Sequence, residues 1–457
     1  MGNVLKNITA NRYSTYKESS VKWLEEIPSH WEVTKLRNIG VFSASGIDKY
    51  LLENESKVKI INFTDIYANK SMTLDSTFDY MVVTTPESNR IKNLVKKGDL
   101  IFLPSSETYE DLGASALVNE ELENTSFSYH VIRLEFKKEI DHSFKKYLTN
   151  NAFVLNQFSR QGKGTTRKII GRGVFKDIQV LIPPLHEQTA IATFLDRKIT
   201  SLDKAIKIKQ KQIELLQERR QILIHKAVTR GLNPNVKMKD SGVEWIGEIP
   251  QGWEVKKLFG LCNFIRGNSA FSKDELLCQG EYVALQYGKI YKVDEINENY
   301  NFYVNNEFYK ETQTVKYGDT ILISTSETIE DLGHSAYFNR NDIGLVGGEQ
   351  IVLNPNNNKL NGHYLYFYSK LFSRELRKYA TGIKVFRFNV NNLKTIFISL
   401  PPLLEQKQIV EFIKIANTKT ANSISFKEQE IEKLKEYKAT LINSAVTGKI
   451  KVYNDAE

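Results

Sequence analysis

The sequence predicts an α+β fold: two β-rich domains alternating with two long helices, the helices pairing as an antiparallel coiled coil with pseudo-two-fold symmetry. Three observations carry this. Four sequence blocks recur in the same order about 220 residues later, the mark of internal duplication. Each copy opens with short β-type runs between Gly, Asn and Ser turns. Each copy closes on a sustained heptad of apolar residues.

The first block is "VKWLEEIPSHWEVTKL" (Val21 to Leu36), which returns as "VEWIGEIPQGWEVKKL" (Val243 to Leu258). Trp23, Ile27, Pro28, Trp31, Val33 and Leu36 match Trp245, Ile249, Pro250, Trp253, Val255 and Leu258. The second pairs Gly98 to Asn119 with Gly318 to Asn339, around "SETYEDLG" and "SETIEDLG". The third pairs "IPPLHEQTAI" with "LPPLLEQKQI", and the fourth "HKAVTRG" with "NSAVTGK". Two copies are too few for a solenoid, so a pseudo-dimer within one chain is expected.

Runs such as "KVKIINF", "DLIFLP" and "HVIRLEF" read as strands. Pro-Pro-Leu then marks a strand-to-helix junction, because Pro ends a strand and fits a first helical turn. From Leu195 the seam runs through Ile199, Leu202, Ile206, Lys209, Ile213, Leu216, Arg220, Leu223 and Ala227. The second seam runs through Ile413, Asn417, Thr420, Ile424, Lys427, Ile431, Leu434, Lys438, Leu441 and Ala445. A basic residue interrupts both seams at the same two steps. A strict seam demands a helical partner, and its polar positions fix register at a cost in stability. Repetition of the interruptions argues that the helices pair with each other. A helix of roughly 40 residues is about 60 Å long, so an antiparallel pair would form a rod with one β-rich domain at each end, a plausible ruler beside the half-site spacing of ordinary dimers. The expected boundaries are 1–20, an N-terminal extension; 21–184, the first β-rich domain; 185–230, the first helix; 231–242, a linker; 243–402, the second domain; 403–448, the second helix; and 449–457, a tail.

Composition narrows function. With 41% hydrophobic and 26% charged residues, the 457-residue chain is of globular type. No run of about 18 apolar residues predicts a membrane span. The N-terminus lacks the apolar region of a signal peptide, and Lys6 breaks the myristoylation pattern. Cys262 and Cys278 cannot form a disulfide framework, which points to the reducing cytoplasm. The net charge of +9 is compatible with a polyanion without demanding one.

Catalytic signatures are missing. "RQGKGTTRK" lacks the upstream Gly of a phosphate-binding loop, and its Gly-Lys is followed by Gly164. No Gly-rich cofactor loop follows a strand, no His-Glu-x-x-His pair occurs, and the cysteines are too far apart for a zinc knuckle. No metal site is expected. The best acidic cluster, Glu107, Glu110 and Asp111, offers Mg²⁺ ligands for a nuclease, which would cut DNA unaided and be abolished by changing Glu107 and Glu327. The favoured reading of that block is a short capped helical turn. Thr108 with Asp111 fits a capping box, and Gly113 fits a left-handed helix end. Ser106 and Thr108, with Ser326 and Thr328 in the second copy, could still face phosphate there.

Were the two domains to read different half-sites of a nucleic acid, they would have to differ at the contacts, so candidate readers belong where the copies diverge. One such segment is "SRQGKGTTRKIIGR", facing "YATGIKVFRFN". It offers Arg160, Lys163, Thr165, Thr166, Arg167 and Lys168, and in the second copy Lys384, Arg387 and Asn389, as base or phosphate contacts. The other follows the opening phrase and offers Ser43 and Ser45, then Arg266, Asn268 and Ser269. The four tryptophans read as core or subunit anchors. Lys204, Lys207, Lys211 and Arg219 read as solvated helix faces.

The order "GVEWIGEIPxxWEV", "GD", "PPLxEQ" and a long helix, given twice, resembles the specificity subunit of type I restriction–modification systems. The resemblance covers nearly the whole chain, and its phrases are specific together and weak apart. The first copy departs by holding Leu24 and Glu25 where the second has Ile246 and Gly247. The resemblance implies that the β-rich parts are target recognition domains and the helices spacers. It implies a subunit without catalysis that reads a split double-stranded DNA site. It implies docking of two methyltransferase subunits and, through them, of endonuclease/translocase subunits, in the cytoplasm and in phage defence. S-adenosylmethionine, ATP and Mg²⁺ would sit on those partners, leaving no cofactor for this chain. The rival readings are the Mg²⁺-dependent nuclease above and a coiled-coil adaptor that never touches DNA.

Overall fold

The computed structural model describes residues 12–453, apart from 22, 68, 269 and 270. The chain forms two compact units, Met1–Gln210 with Glu428–Glu457, and Lys211–Lys427. Each holds one β-rich domain and a stretch of each long helix.

In the first unit a five-stranded sheet runs in the order Gly40–Ser43, Ile132–Phe136, Leu100–Phe102, Ser115–Val118, Thr73–Leu74. The second unit repeats that order with Cys262–Arg266, Gln350–Pro355, Thr320–Ile323, Ser335–Phe338 and Glu295–Ile296. In both sheets only the last pairing is parallel. The central strands are apolar and buried on both faces, as "LIF" and "TILI" require. The accompanying sheet differs, with three strands in the first unit and four in the second.

The repeated blocks are the joints of this scaffold. Glu32–Lys35 pairs antiparallel with Gln179–Ile182, and Glu254–Lys257 with Phe397–Leu400, so in each domain an early strand closes on the last. Trp31 and Trp253 are buried, and each indole N–H donates to the Glu of Pro-Pro-Leu-x-Glu-Gln. The pairs are Trp31 to Glu187 at 2.9 Å and Trp253 to Glu405 at 3.0 Å. The neighbouring Gln188 and Gln406 amides donate to Pro183 and Pro401 carbonyls at 2.8 and 2.9 Å. They accept the Asp141 and Asn361 N–H groups at 2.9 and 2.8 Å. Of the other two tryptophans, Trp245 packs against the second unit's apolar core, its ring 6.1 Å from that of buried Tyr368. Trp23 is 44% exposed and Trp245 half-buried.

The two domains begin earlier than their apolar pattern indicates. Tyr16–Val21 pairs with Leu24–Pro28, and Met238–Asp240 with Glu248–Pro250. The segments expected to be extension and linker thus contain edge strands. Their sequences, "YKESSV" and "MKD", are polar because an edge strand buries little.

The long helices span Leu185–Arg230 and Leu403–Val446. Every seam position named above is buried or half-buried. In the first unit Leu195 and Ile199 share a core with Leu441 and Ala445. In the second, Ala227 shares one with Ile413. The pairing is antiparallel within each unit. Lys438 holds Asp203 at 2.8 Å and Lys209 holds Glu430 at 2.8 Å in the first, and Arg220 donates to Asn417 at 2.9 Å in the second. Lys209, Arg220 and Lys438, basic interruptions of the seams, therefore carry cross-helix polar contacts, which specify register.

The shared Gly-Asp turns bury a carboxylate in each unit. Asp99 accepts the Lys96 N–H at 2.9 Å, and Asp319 accepts the Lys316 N–H at 2.8 Å. Burial raises each carboxyl to about 6. The folded state therefore binds more protons than the unfolded one between about pH 4 and 6, so stability falls as pH rises through that window. Each site contributes roughly 3 kcal/mol to that fall. Denaturant titrations at pH 4.5 and 7 should show the fall in the wild type and a flatter dependence in an Asp99→Asn/Asp319→Asn double variant. An equal pH dependence in both proteins would contradict the assignment.

Candidate nucleic-acid interface

In both units a short strand beside the Ser-Glu-Thr block pairs with the divergent basic loop. Ser105–Ser106 pairs with Lys168–Ile169, and Thr325–Ser326 with Phe386–Arg387. Two backbone hydrogen bonds close each loop. Lys163 and Ile169 exchange them at 3.1 and 2.8 Å, Thr381 and Arg387 at 3.0 and 2.9 Å. The second residue of each loop is a glycine at positive φ, Gly164 at 117° and Gly382 at 108°. A side chain there would collide with the carbonyl oxygen of Arg167 or Val385. Two loops of one geometry thus carry different tips, Thr165-Thr166-Arg167 and Ile383-Lys384-Val385.

In the first unit Arg160, Lys163, Thr165, Thr166 and Arg167 are exposed, and Lys168 is half-buried. The Arg167 guanidinium donates to Ser105 at 3.1 Å and lies 5.1 Å from the Phe63 ring centroid. Arg160 stacks over half-exposed Trp23 at 4.7 Å. Lys168 lies over Tyr109 at 5.3 Å and donates to the Thr165 carbonyl. Aromatic and hydroxyl partners thus hold cations in place without neutralising them.

The second unit gathers Arg266, Asn268, Arg387 and Asn389 around one cavity of about 320 Å³, joined by Tyr379 and Glu349. These candidates come from segments far apart in sequence. Lys384 is exposed on the adjoining loop, and Ser269 lies outside the described residues.

Several expected contacts are otherwise engaged. Ser106 and Ser326 are buried, each accepting the N–H of its own Thr108 or Thr328, at 3.3 and 3.2 Å. Ser45 is buried and accepts the Ile47 N–H at 3.0 Å, while Ser43 accepts from Arg133 at 3.0 Å. Asn389 caps the helix Val390–Thr395, its oxygen accepting two backbone N–H groups. Thr108 and Thr328 are exposed but donate to Asp111 and Asp331 at 2.6 and 2.7 Å, and a phosphate there would meet carboxylates. The acidic block is not the capped helical turn its sequence indicates. It is a run of turns, stabilised by side-chain-to-side-chain bonds and ended by Gly113 and Gly333 at positive φ. It therefore offers no helix N-terminus to an anion. Among the described residues, no cluster of three His, Cys, Asp or Glu side chains is placed to hold a metal ion. Sequence reasoning missed Ile383, the most exposed large apolar residue described, although an Ile inside a Gly- and Lys-containing turn was visible.

Fold and site together define a duplicated scaffold that presents one loop of the same backbone geometry in each unit. Residues 28–218 and 250–436 match the type I restriction modification DNA specificity domain, and the chain belongs to this family. It is 28% identical over 450 residues to the putative type I restriction enzyme MjaX specificity subunit of Methanocaldococcus jannaschii, covering 96% of this chain and 98% of that one. It is 28% identical over 336 residues to the MjaVIII specificity subunit of the same organism, covering 71% and 74%. The fold matches a chain from a study of complex assembly and conformational transition in the type I R-M system, with TM-score 0.67, 16% identity, and 92% and 99% covered. It also matches the HsdS subunit from Thermoanaerobacter tengcongensis, with TM-score 0.52, 17% identity, and 92% and 98% covered. Membership of this family makes the chain a DNA-specificity subunit of type I restriction–modification.

Proposed function

We propose that each β-rich domain reads one half of a bipartite, asymmetric DNA site, with the paired helices setting the distance between halves. The observation that carries this is the pair of loops with one backbone geometry and different tips. A common scaffold presenting different side chains is what reading two different half-sites requires. Arg160, Lys163, Arg167 and Lys168 serve the first half-site, with Thr165 and Thr166, and Arg266, Lys384 and Arg387 serve the second.

The helices also dock two methyltransferase subunits, which carry the endonuclease/translocase subunits in turn. In the second unit Leu215, Ile222, Phe412, Ile415 and Phe426 are exposed on the helices, apolar surface that suits such docking. S-adenosylmethionine, ATP and Mg²⁺ belong to those partners, and the complex works in the cytoplasm. Among the described residues, no helix is long and apolar enough to cross a membrane.

Exchanging residues 40–180 for the matching segment of another family member tests the reading. It should replace one half of the target and leave the other unchanged. An unchanged target would favour the adaptor reading.

A further inference from the structure

The second loop ends in a side chain that polar recognition does not explain. Ile383 is 95% exposed, and Val385, two residues on, is also exposed. A lone exposed aliphatic side chain is ordinary on a protein surface. This one sits at the place that Thr165 occupies in the first loop, directly after the positive-φ glycine. Its loop is closed by two backbone hydrogen bonds and paired to Thr325–Ser326, so the tip is held rather than trailing. Exposed Lys384 follows it in the tip, exposed Arg387 closes the base of the same loop, and Arg387 lines the adjoining cavity with Arg266 and Glu349. An apolar tip on a loop that also carries exposed cations fits a polyanion bearing an apolar group on its readable edge. In duplex DNA the major groove offers one such group, the C5 methyl of thymine.

We propose that Ile383 packs against a thymine methyl group in the second half-site, while the first loop reads its half-site through hydroxyl and guanidinium groups. The inference rests on the two-domain reading above. It assigns a chemical character to each half: an apolar contact with thymine for the second domain, and hydrogen bonding by Thr165, Thr166 and Arg167 for the first.

The test uses the full chain in complex with its methyltransferase, and duplexes in which deoxyuridine replaces thymine one position at a time. Deoxyuridine keeps the base pair and removes only the methyl. At one position of the second half-site the wild type should bind about 3–10-fold more weakly to the deoxyuridine duplex, the scale of one buried methyl with its packing. Ile383→Ala should lose that discrimination and keep the wild-type response to substitutions in the first half-site. Ile383→Leu, which stays apolar, should retain part of it. An undiminished deoxyuridine penalty in Ile383→Ala, or no penalty at any thymine of the second half-site in the wild type, would overturn the inference and leave two-domain recognition standing. A complex that does not distinguish its target from a scrambled duplex would overturn both.

Discussion

Deleting residues 207–213 together with 426–432 is expected to bring the two half-sites about three base pairs closer. Seven helical residues span about 10.5 Å, and duplex DNA rises about 3.4 Å per base pair. Removing a whole heptad from each helix preserves the phase of both seams. The two segments face each other across the Lys209–Glu430 pair, so the flanking contacts re-form. The original target should then lose about a thousandfold in affinity, because one domain can no longer reach its half. A target with the shortened gap should recover most of it. Selection from a randomised-spacer library reads this directly. An unchanged gap would refute the helices as a ruler.

Trp31→Ala and Trp253→Ala are expected to cost about 3–5 kcal/mol each, the scale for truncating a fully buried aromatic. Each also strips a partner from a glutamate, and Glu187 is itself buried, with His30 at 2.5 Å on its other oxygen. Leaving a buried acceptor short of its donor adds about 1–3 kcal/mol. Trp31→Phe should fall between, keeping most of the packing and losing the N–H. Trp23→Ala should cost less than about 1 kcal/mol, since that ring is half in water. Limited proteolysis should open the first unit in Trp31→Ala and the second in Trp253→Ala. Equal losses for Trp23→Ala and Trp31→Ala would contradict the anchoring role.

The scaffold was legible because it is repeated. Duplication exposed the blocks, and the heptad exposed the helices with their basic interruptions, since periodic burial leaves a periodic pattern. Trp31 and Trp253 stood out, but their glutamate partners did not, because indole-to-carboxylate bonds across some 150 residues leave no local signal. The polar edge strands at Tyr16–Val21 and Met238–Asp240 were unreadable for want of apolar alternation. The candidate contacts were chosen by divergence alone. That rule singled out the segments that form the two matching loops and the Arg266 segment, which lines a cavity with Arg387. It could not foresee that Ser45 was buried or that Asn389 would be consumed as a helix cap. Short polar side chains satisfy neighbouring backbone groups as readily as they satisfy DNA.

The methylated motif of a strain carrying the exchange of residues 40–180, read by sequencing its genomic DNA for modified bases, tests the central claim most directly. A motif with one half replaced, the other half kept and the gap unchanged is the result expected of two independent readers on one scaffold. A motif identical to the parent's, or one altered in both halves, would contradict it.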